Sequence, residues 1–178
     1  MPRIRDKNIE VLYSEQDISL RNRDIASKIA ASGLEDPLVI SILKGSFVFA
    51  ADLIREMHGA GMTPEVEFIS ISSYGAGEEA GQPVILRDVE TEIHGRNIIL
   101  IDDILESGGT LTFTRDLMWK RGAKSVTITV LLDKASRRKS DMEADYAGFV
   151  CPDKFVVGYG MDTGHAFREL PFVGYITD

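Results

Sequence analysis

One segment of the chain joins a buried strand, two adjacent acids, a glycine-rich turn and a helix. Residues 98–101 are four consecutive apolar residues, which predicts a strand covered on both faces of a parallel sheet. Asp102 and Asp103 follow directly, and a protein core cannot bury such groups unpaired. The two carboxylates are therefore expected at the carboxyl end of the strand, where open α/β sheets bind ligands.

Small and hydroxyl-bearing residues come shortly after the two acids. They are Ser107, Gly108, Gly109 and Thr110. Backbone N–H groups and two hydroxyls in such a turn can surround a phosphate, and a helix from Thr110 onward directs the positive end of its dipole at the same anion. The segment thus offers acceptors for sugar hydroxyls beside donors for a phosphate. An ordinary strand-to-helix turn with a capping Ser or Thr is the alternative interpretation.

Alternating strand and helix patterns cover most of the chain. Ser14 opens a capping sequence for a first helix that ends at Gly33. Strand patterns at 38–43, 65–73, 98–101 and 125–132 are interleaved with helical patterns at 47–58 and 110–121. This alternation predicts an α/β fold with a central, mostly parallel sheet flanked by helices.

Length and composition narrow the class of protein. The 178 residues are expected to form a single domain, 1–178, with a substantial core, and the single Cys151 agrees with a reducing compartment. A formal net charge of −8 argues against nucleic-acid binding, which depends on clustered Lys and Arg. Because no apolar run has the length of a membrane span and the start lacks a signal-peptide pattern, we expect a cytoplasmic protein that contacts no membrane.

Other candidate site residues also follow predicted strands. Lys44 and Gly45 come after an early strand and are expected on the same sheet edge as the acids, as a second site for an anion. Lys134 follows a later strand and offers an ammonium suited to an exocyclic oxygen. Residues 152–162 offer an aromatic ring, backbone groups and a carboxylate, although their spacing fits an ordinary core strand with charged ends equally well.

The three histidines do not have the spacing of a zinc site. His58 lies at a predicted helix end, His94 in a turn and His165 in a glycine-containing loop. Each is expected to be structural or solvated.

The residues from Asp102 to Thr110 resemble the phosphoribosyl pyrophosphate (PRPP) signature of type I phosphoribosyltransferases. A Walker loop would need a Lys after its last Gly, and a Rossmann turn would need three spaced glycines; neither pattern is present. The runs at 152–162 and 167–170 resemble the purine side of hypoxanthine and hypoxanthine-guanine phosphoribosyltransferases, and the similarity extends over nearly the whole chain. The resemblance implies the type I phosphoribosyltransferase fold, with a small hood formed from the N- and C-terminal segments.

The resemblance also implies a role for each candidate residue. The PRPP ligands would be Asp102 and Asp103 at the ribose diol, Ser107, Gly108, Gly109 and Thr110 at the 5′-phosphate, and Lys44, Gly45 and Arg168 at the pyrophosphate, with a cis peptide bond before Lys44. The purine ligands would be Lys134 at O6, Phe155 stacked on the ring, and the backbone of Val156. The magnesium ligands would be Asp102, Asp103 and Asp162. Ser73 and Tyr74 would open a mobile loop over about residues 73–83.

Glu106 departs from the family pattern, which usually has Asp at the position thought to manage the proton on purine N7. Glu keeps a carboxylate of similar intrinsic acidity but is one methylene longer. We expect Glu106 and Asp103 to be the catalytic carboxylates. Glu106 acts directly or through water, or a neighbouring carboxylate assists it.

Residue chemistry and resemblance together predict a magnesium-dependent purine-salvage enzyme. It would transfer the 5-phosphoribosyl group from PRPP to hypoxanthine, with guanine as a second 6-oxopurine that the sequence does not rank against it. Two alternatives stay open: transfer to another base such as xanthine, and a weakly catalytic nucleotide-binding regulator on the same fold. Lys134 argues against adenine, because an ammonium cannot accept from an amino group. Relatives are commonly dimers or tetramers, so a homodimer or homotetramer is expected.

Overall fold

The computed structural model describes residues 3–4, 6–73 and 83–177. Within them it contains ten strands, three α-helices and one 3-10 turn at Ala135–Arg137. The helices are α1 (Glu15–Ala31), α2 (Phe47–Gly59) and α3 (Gly109–Lys120). The strands are β1 (Arg3–Ile4), β2 (Lys7–Tyr13), β3 (Leu38–Leu43), β4 (Glu65–Ser73), β5 (Pro83–Arg87), β6 (Asn97–Leu105), β7 (Ser125–Asp133), β8 (Tyr146–Val150), β9 (Val156–Val157) and β10 (Val173–Ile176).

Six strands form a central sheet in the order β5-β4-β3-β6-β7-β8. All neighbours pair in parallel except β4 and β5, which pair antiparallel. The predicted α/β fold with a mostly parallel sheet is confirmed. Because β3, β6 and β7 are parallel neighbours, the loops after them emerge at one edge of the sheet.

Helices cover both faces of the central sheet. Alternate side chains of β3 and β6 pack against α1 and α2 on one face, where Phe49 and Leu53 are fully buried. The intervening side chains pack with Leu111 and Met118 of α3 on the other face. Two covered faces explain why β3 and β6 are apolar almost without interruption.

The first helix begins at the capping sequence read from the chain. The Ser14 side chain accepts from the backbone N–H of Asp17, and the Asp17 carboxylate accepts from the backbone N–H of Ser14. This reciprocal pair satisfies two N–H groups that the helix itself cannot bond. Ile18, Ile25 and Ile29 then form its buried face.

A second, smaller sheet joins the two ends of the chain in the order β1-β2-β10-β9. It has its own apolar cluster, in which Ile9 and Val157 are fully buried. This sheet is the small hood that the family resemblance implies, built from N- and C-terminal segments. That the whole chain makes one domain stays a prediction.

The structure differs from the sequence prediction in the strands β6 and β2. The strand β6 does not stop at Asp102 but continues to Leu105, because its main chain keeps pairing with β7 up to Asp133. The strand β2 was not predicted, since its residues alternate imperfectly and it is ordered by pairing with the distant β10. Tyr74 and residues 75–82 of the predicted mobile loop lie outside the described residues, so that prediction is not tested.

We predict that Leu53→Ala lowers the free energy of unfolding by about 2–5 kcal/mol, because it leaves a cavity between α2 and the sheet. Urea denaturation measures this. Leu20→Ala is the matched control, because Leu20 lies on α1 with 59% of its surface exposed, and its effect should stay within about 0.5 kcal/mol. Equal losses in the two variants would contradict the assigned core.

Candidate active site

The two adjacent acids are the sixth and seventh of the nine residues of β6. Asp102 is only 9% exposed, and its Oδ1 accepts from the backbone N–H of Asp103 at 2.9 Å. Asp103 in turn accepts from the backbone N–H of Ile104 at 2.8 Å. Burial raises the pKa of both carboxyl groups, and for Asp102 the charge of Asp103 raises the pKa further. The strand therefore holds two carboxylates where hydration is poor, beside a cavity that a ligand can fill.

The loop after β3 approaches these acids closely. The peptide bond between Leu43 and Lys44 is cis, as the resemblance implies. A Cβ atom at Gly45 would lie 1.8 Å from Oδ2 of Asp103, so no side chain fits there. The position needs glycine because the backbone of the Lys44 loop lies directly against the carboxylate.

The turn after β6 leads into α3 through a glycine N-cap. Gly108 has a φ of +87°, and a Cβ at this position would come 2.1 Å from Oγ of Ser140. The Ser107 hydroxyl lies 3.4 Å from the backbone N of Gly109. Because Gly108 has no side chain to cap the helix, the first turn of α3 presents N–H groups and its positive dipole end at the cavity.

Arg138 stabilises this turn through hydrogen bonds to its backbone carbonyls. This residue was not identified from the sequence. Its guanidinium donates to the backbone carbonyls of Leu105 and Glu106, at 3.3 and 3.0 Å, and to that of Met142. It also forms an ion pair with Asp133. A cation that binds main-chain carbonyls from another loop has no local sequence signal, so only the folded chain identifies it.

Lys134 lies at the end of β7 and is only 5% exposed. Its Nζ lies 3.0 Å from Oε1 of Glu106 and donates to the backbone carbonyl of Lys154, also at 3.0 Å. Oδ1 of Asp153 is 3.7 Å away and accepts from Arg137 at 2.7 Å. Glu106 and the Lys154 carbonyl use two of the three donors of the ammonium, and the third can bind either the Asp153 carboxylate or an oxygen of a ligand.

The segment that runs from just before β9 to Arg168 contributes the last group of candidates. Arg168 lies 2.7 Å from Oδ1 of Asp162 and donates to the backbone carbonyl of Gly160 at 2.6 Å. Oδ2 of Asp162 accepts from the backbone N–H of His165 at 2.7 Å. Phe155 is 65% exposed, whereas the neighbouring Val156 is buried. The segment therefore presents an open aromatic face beside a tightly bonded acid and arginine.

Two adjoining cavities bring the candidates together. The first, of about 290 Å³, is lined by Lys44, Gly45, Asp102, Asp103, Glu106, Ser107, Gly108 and Thr110. The second, of about 500 Å³, is lined by Lys44, Gly45, Asp103, Glu106, Lys134, Phe155, Val156, Asp162 and Arg168. They share Lys44, Gly45, Asp103 and Glu106. Residues far apart in the chain thus line one continuous space at the carboxyl edge of the sheet.

A few candidates stand apart from this space. Gly109 does not line either cavity, and Ser73 is at the end of β4 without a described side chain.

His165, which the sequence suggested to be structural or solvated, lines the second cavity with 84% of its side chain exposed. The spacing of residues in the sequence did not indicate that His165 would line the cavity, because a turn in the folded chain brings it to that position.

The donor chemistry of the site fits a magnesium ion carried by a substrate. Within the residues that the structure describes, no group of three His, Cys, Asp or Glu side chains could hold a metal. Magnesium commonly uses one or two carboxylates and completes its shell with waters and substrate phosphates. Asp102, Asp103 and Asp162 supply such carboxylate oxygens along the two cavities.

Comparison with known proteins agrees with this architecture. The family described as the phosphoribosyl transferase domain matches residues 8–163. The hypoxanthine-guanine phosphoribosyltransferase of Bacillus subtilis (strain 168) is 40% identical over 169 residues, covering 94% of this chain and 92% of that protein. The hypoxanthine phosphoribosyltransferase of Salmonella typhimurium is 41% identical over 173 residues, covering 94% and 95%.

A solved structure is similar over almost the full length. It is the hypoxanthine phosphoribosyltransferase of Trypanosoma cruzi in complex with the product IMP, with a TM-score of 0.89, 33% identity, and coverage of 99% of this chain and 98% of that one. The chain belongs to the phosphoribosyltransferase family. Within that family, these relatives are hypoxanthine and hypoxanthine-guanine phosphoribosyltransferases.

No helix of the described residues is both long and apolar enough to cross a membrane.

We predict that Asp102→Asn raises the stability of the metal-free protein by about 1–2 kcal/mol at pH 7, because it removes a buried carboxylate beside Asp103. A raised pKa in the folded state means that wild-type stability falls as the pH rises above the unfolded value of about 4. The advantage of the variant should therefore shrink as the pH is lowered toward 4. Urea denaturation of both proteins between pH 4 and pH 7 measures this difference in the free energy of unfolding.

Asp116→Asn, an exposed aspartate on α3, is the matched control and should change stability by no more than about 0.5 kcal/mol. If Asp102→Asn were less stable than the wild type at pH 7, the carboxylate would be a net stabilising group and the interpretation would be wrong.

Proposed function

We propose that the protein transfers the 5-phosphoribosyl group from PRPP to hypoxanthine and so salvages the purine as IMP, with pyrophosphate as the second product. One observation carries the proposal: Asp102, Asp103 and three residues of the turn line a cavity that opens into the cavity of Lys134 and Phe155, the three being Ser107, Gly108 and Thr110. A sugar phosphate and a flat base joined to it need such an adjoining pair of subsites. The relatives named above support the choice of purine.

PRPP would extend along the first cavity. Asp102 and Asp103 accept hydrogen bonds from the ribose hydroxyls, and the residues at 107–110 donate to the 5′-phosphate from the start of α3. Lys44, the backbone at Gly45, and Arg168 lie where the second cavity begins and would bind the pyrophosphate. Ser73 and Tyr74 would open the loop that closes over the bound substrates.

A 6-oxopurine would occupy the second cavity. Phe155 offers an exposed ring for stacking, and Val156 presents its backbone beside it. The third donor of Lys134 would bind the O6 atom in place of Asp153, while the Lys154 carbonyl and Glu106 hold the ammonium in position. A donor at this position suits hypoxanthine and guanine and disfavours adenine, whose exocyclic group is itself a donor.

The reaction forms a bond from a purine nitrogen to the anomeric carbon as the bond to the pyrophosphate oxygen breaks. Positive charge develops on the ribose and negative charge on the leaving group, and the carboxylates of Asp102 and Asp103 would stabilise the first of these. Lys44 and Arg168 would stabilise the second. The purine must also lose a proton, and Glu106, which lines both cavities, would accept it.

Magnesium would be held at the first cavity by Asp102 and Asp103, and separately at the second cavity by Asp162, in each case together with the phosphates of PRPP. When bound, it would neutralise charge on the pyrophosphate and orient the ribose. A cytoplasmic location and a homodimeric or homotetrameric state stay predictions.

A turnover assay tests the proposal. Purified protein is incubated with PRPP, magnesium and hypoxanthine, guanine, xanthine or adenine, and nucleotide and pyrophosphate are quantified together. Stoichiometric IMP and pyrophosphate support the proposal. Product with xanthine alone would assign another base, and nucleotide binding without product would favour a regulator.

We predict that Glu106→Gln lowers kcat with hypoxanthine by about 10²–10⁴-fold, because the amide cannot accept the purine proton. The KM for PRPP should change by less than about threefold, since the ribose and phosphate ligands remain. Steady-state kinetics with each substrate varied in turn measures the kcat and the KM for PRPP separately. Glu143→Gln, at an exposed position, is the control. Wild-type turnover in Glu106→Gln would remove the role in proton transfer.

We predict that Lys134→Ala weakens hypoxanthine binding by about 10–100-fold through loss of a charged hydrogen bond. The KM for PRPP should be nearly unchanged. Product-formation kinetics and hypoxanthine calorimetry in the presence of pyrophosphate measure the two effects. Lys120→Ala, at the end of α3, controls for loss of a surface charge. A uniform loss of PRPP binding would show that Lys134 does not recognise the base.

A further inference from the structure

The turn at residues 152–155 contains the backbone carbonyl of Lys154, which binds the proposed purine-binding residue Lys134. The backbone carbonyl of Lys154 accepts from Nζ of Lys134 at 3.0 Å and so helps to set where the ammonium points. Phe155, the proposed stacking residue, is the next residue in the chain. A shift of Lys154 would therefore move two proposed contacts to the base at once.

This turn has little core packing to hold it. All four of its residues are exposed, from Pro152 through Phe155. Within the turn, the backbone N–H of Lys154 donates to the carbonyl of Pro152 at 2.7 Å. The Asp153 carboxylate binds Arg137, whose side chain is itself more than half exposed.

The turn also contacts the end of the central sheet through Lys134, whose ammonium binds the Lys154 carbonyl and lies 3.7 Å from Oδ1 of Asp153. A further contact at the Lys154 side chain can therefore set where this carbonyl lies.

The side chain of Lys154 reaches the C-terminal strand. Its Nζ lies 3.6 Å from the centre of the Tyr175 ring. Tyr175 is half-buried in β10 and is the direct partner of Val156 in the antiparallel pair of β9 and β10. The strand β10 also pairs with β2, so the ring belongs to the hood sheet and not to the turn. An ammonium over an aromatic face at such a distance is an attractive contact.

We propose that Tyr175 is a positioning residue for purine recognition. Its ring holds the Lys154 ammonium, and thereby fixes the backbone carbonyl of Lys154 that orients Lys134 and the start of the stacking residue Phe155. The contact couples the hood sheet to the base subsite. This inference rests on the proposed function, because it assigns the base to the cavity of Lys134.

The proposed ribose and 5′-phosphate subsites on β6 and α3 do not depend on this contact, and Arg168 is bonded to Asp162 and to the Gly160 carbonyl, not to Lys154 or Tyr175.

The structure makes the effect specific to one substrate. Lys44, Asp102 and Gly108 are held by β3, β6 and α3, none of which contains Lys154 or Tyr175. Loss of the ring should therefore raise the KM for hypoxanthine and leave the KM for PRPP unchanged. A residue that only stabilised the hood would change thermal stability without this separation.

The test uses a double-mutant cycle in the full-length protein. Tyr175→Leu removes the ring, Lys154→Met removes the ammonium but keeps an unbranched side chain, and the double variant removes both. Each single variant should raise the KM for hypoxanthine by about two- to fivefold, the range that an exposed cation–π contact gives, and the double variant should be no worse than either single one. The KM for PRPP and the melting temperature are measured on the same samples.

Two conservative variants and one control complete the design. Tyr175→Phe keeps the ring and Lys154→Arg keeps the cation, so both should bind hypoxanthine within about twofold of the wild type. Lys120→Met changes an equally exposed lysine on α3 and should change neither KM.

The outcomes separate the inference from the proposed function. Additive effects in the cycle, an equal rise in both KM values, or a loss in Tyr175→Phe as large as in Tyr175→Leu would overturn the positioning role. A wild-type protein that makes no nucleotide from any purine would overturn the proposed function instead. Non-additive, purine-selective losses that Tyr175→Phe avoids would establish the role of Tyr175.

Discussion

Burial of carboxylates at the end of β6 is the constraint around which the site is built. Asp102 and Asp103 lie in a strand whose first six residues are all buried, between helices on both faces. Such a place opposes their ionisation, which is why burial raises the pKa of both groups. The same position places the two carboxylates, which are hydrogen-bond acceptors, in the lining of the first cavity. Active sites commonly hold groups in environments that stability alone would not select.

The shape of the cavity beside Asp102 and Asp103 depends on two places where the backbone passes very close to another residue. The Lys44 loop touches Asp103 through a glycine that has no room for a Cβ, and the turn into α3 passes Ser140 through another. Both loops follow parallel neighbours in one sheet, so their order in space is set by strand pairing. Arg138 then ties the carbonyls of residues 105 and 106 to the loop after β7. Rigid elements thus position the backbone that faces a phosphate.

The purine side of the site is assembled differently. Lys134 is fixed by β7, yet its hydrogen-bond partners come from two other segments, Glu106 after β6 and Lys154 before β9. Glu106, one methylene longer than the aspartate usual in the family, reaches the ammonium at 3.0 Å. The carboxylate of the longer side chain is therefore engaged in an ion pair with Lys134. The proposed base subsite depends on the hood, while the proposed ribose and 5′-phosphate subsites depend on the central sheet.

Much of the fold could be read from the chain, because its signals are local. Apolar runs such as 98–101 predict strands with two covered faces, and Ser14 with Asp17 marks a helix start through bonds between near neighbours. The acids, the glycine turn, Lys44 and Lys134 could also be placed at one sheet edge, because parallel strands bring their carboxyl ends together. The length of β6 and the existence of β2 were missed, since pairing with a distant strand decides both.

The sequence alone identified the candidate site residues and the edge of the sheet at which they lie. Only the tertiary structure decided how they are held: Arg138 on the carbonyls of the phosphate-side turn, Lys134 between Glu106 and Lys154, and Tyr175 beneath the Lys154 ammonium. The physical reason is that hydrogen-bond, ion-pair and cation–π contacts between distant segments depend on distances of a few ångströms. Residue spacing along a chain does not encode those distances until the sheet and the hood bring the segments together.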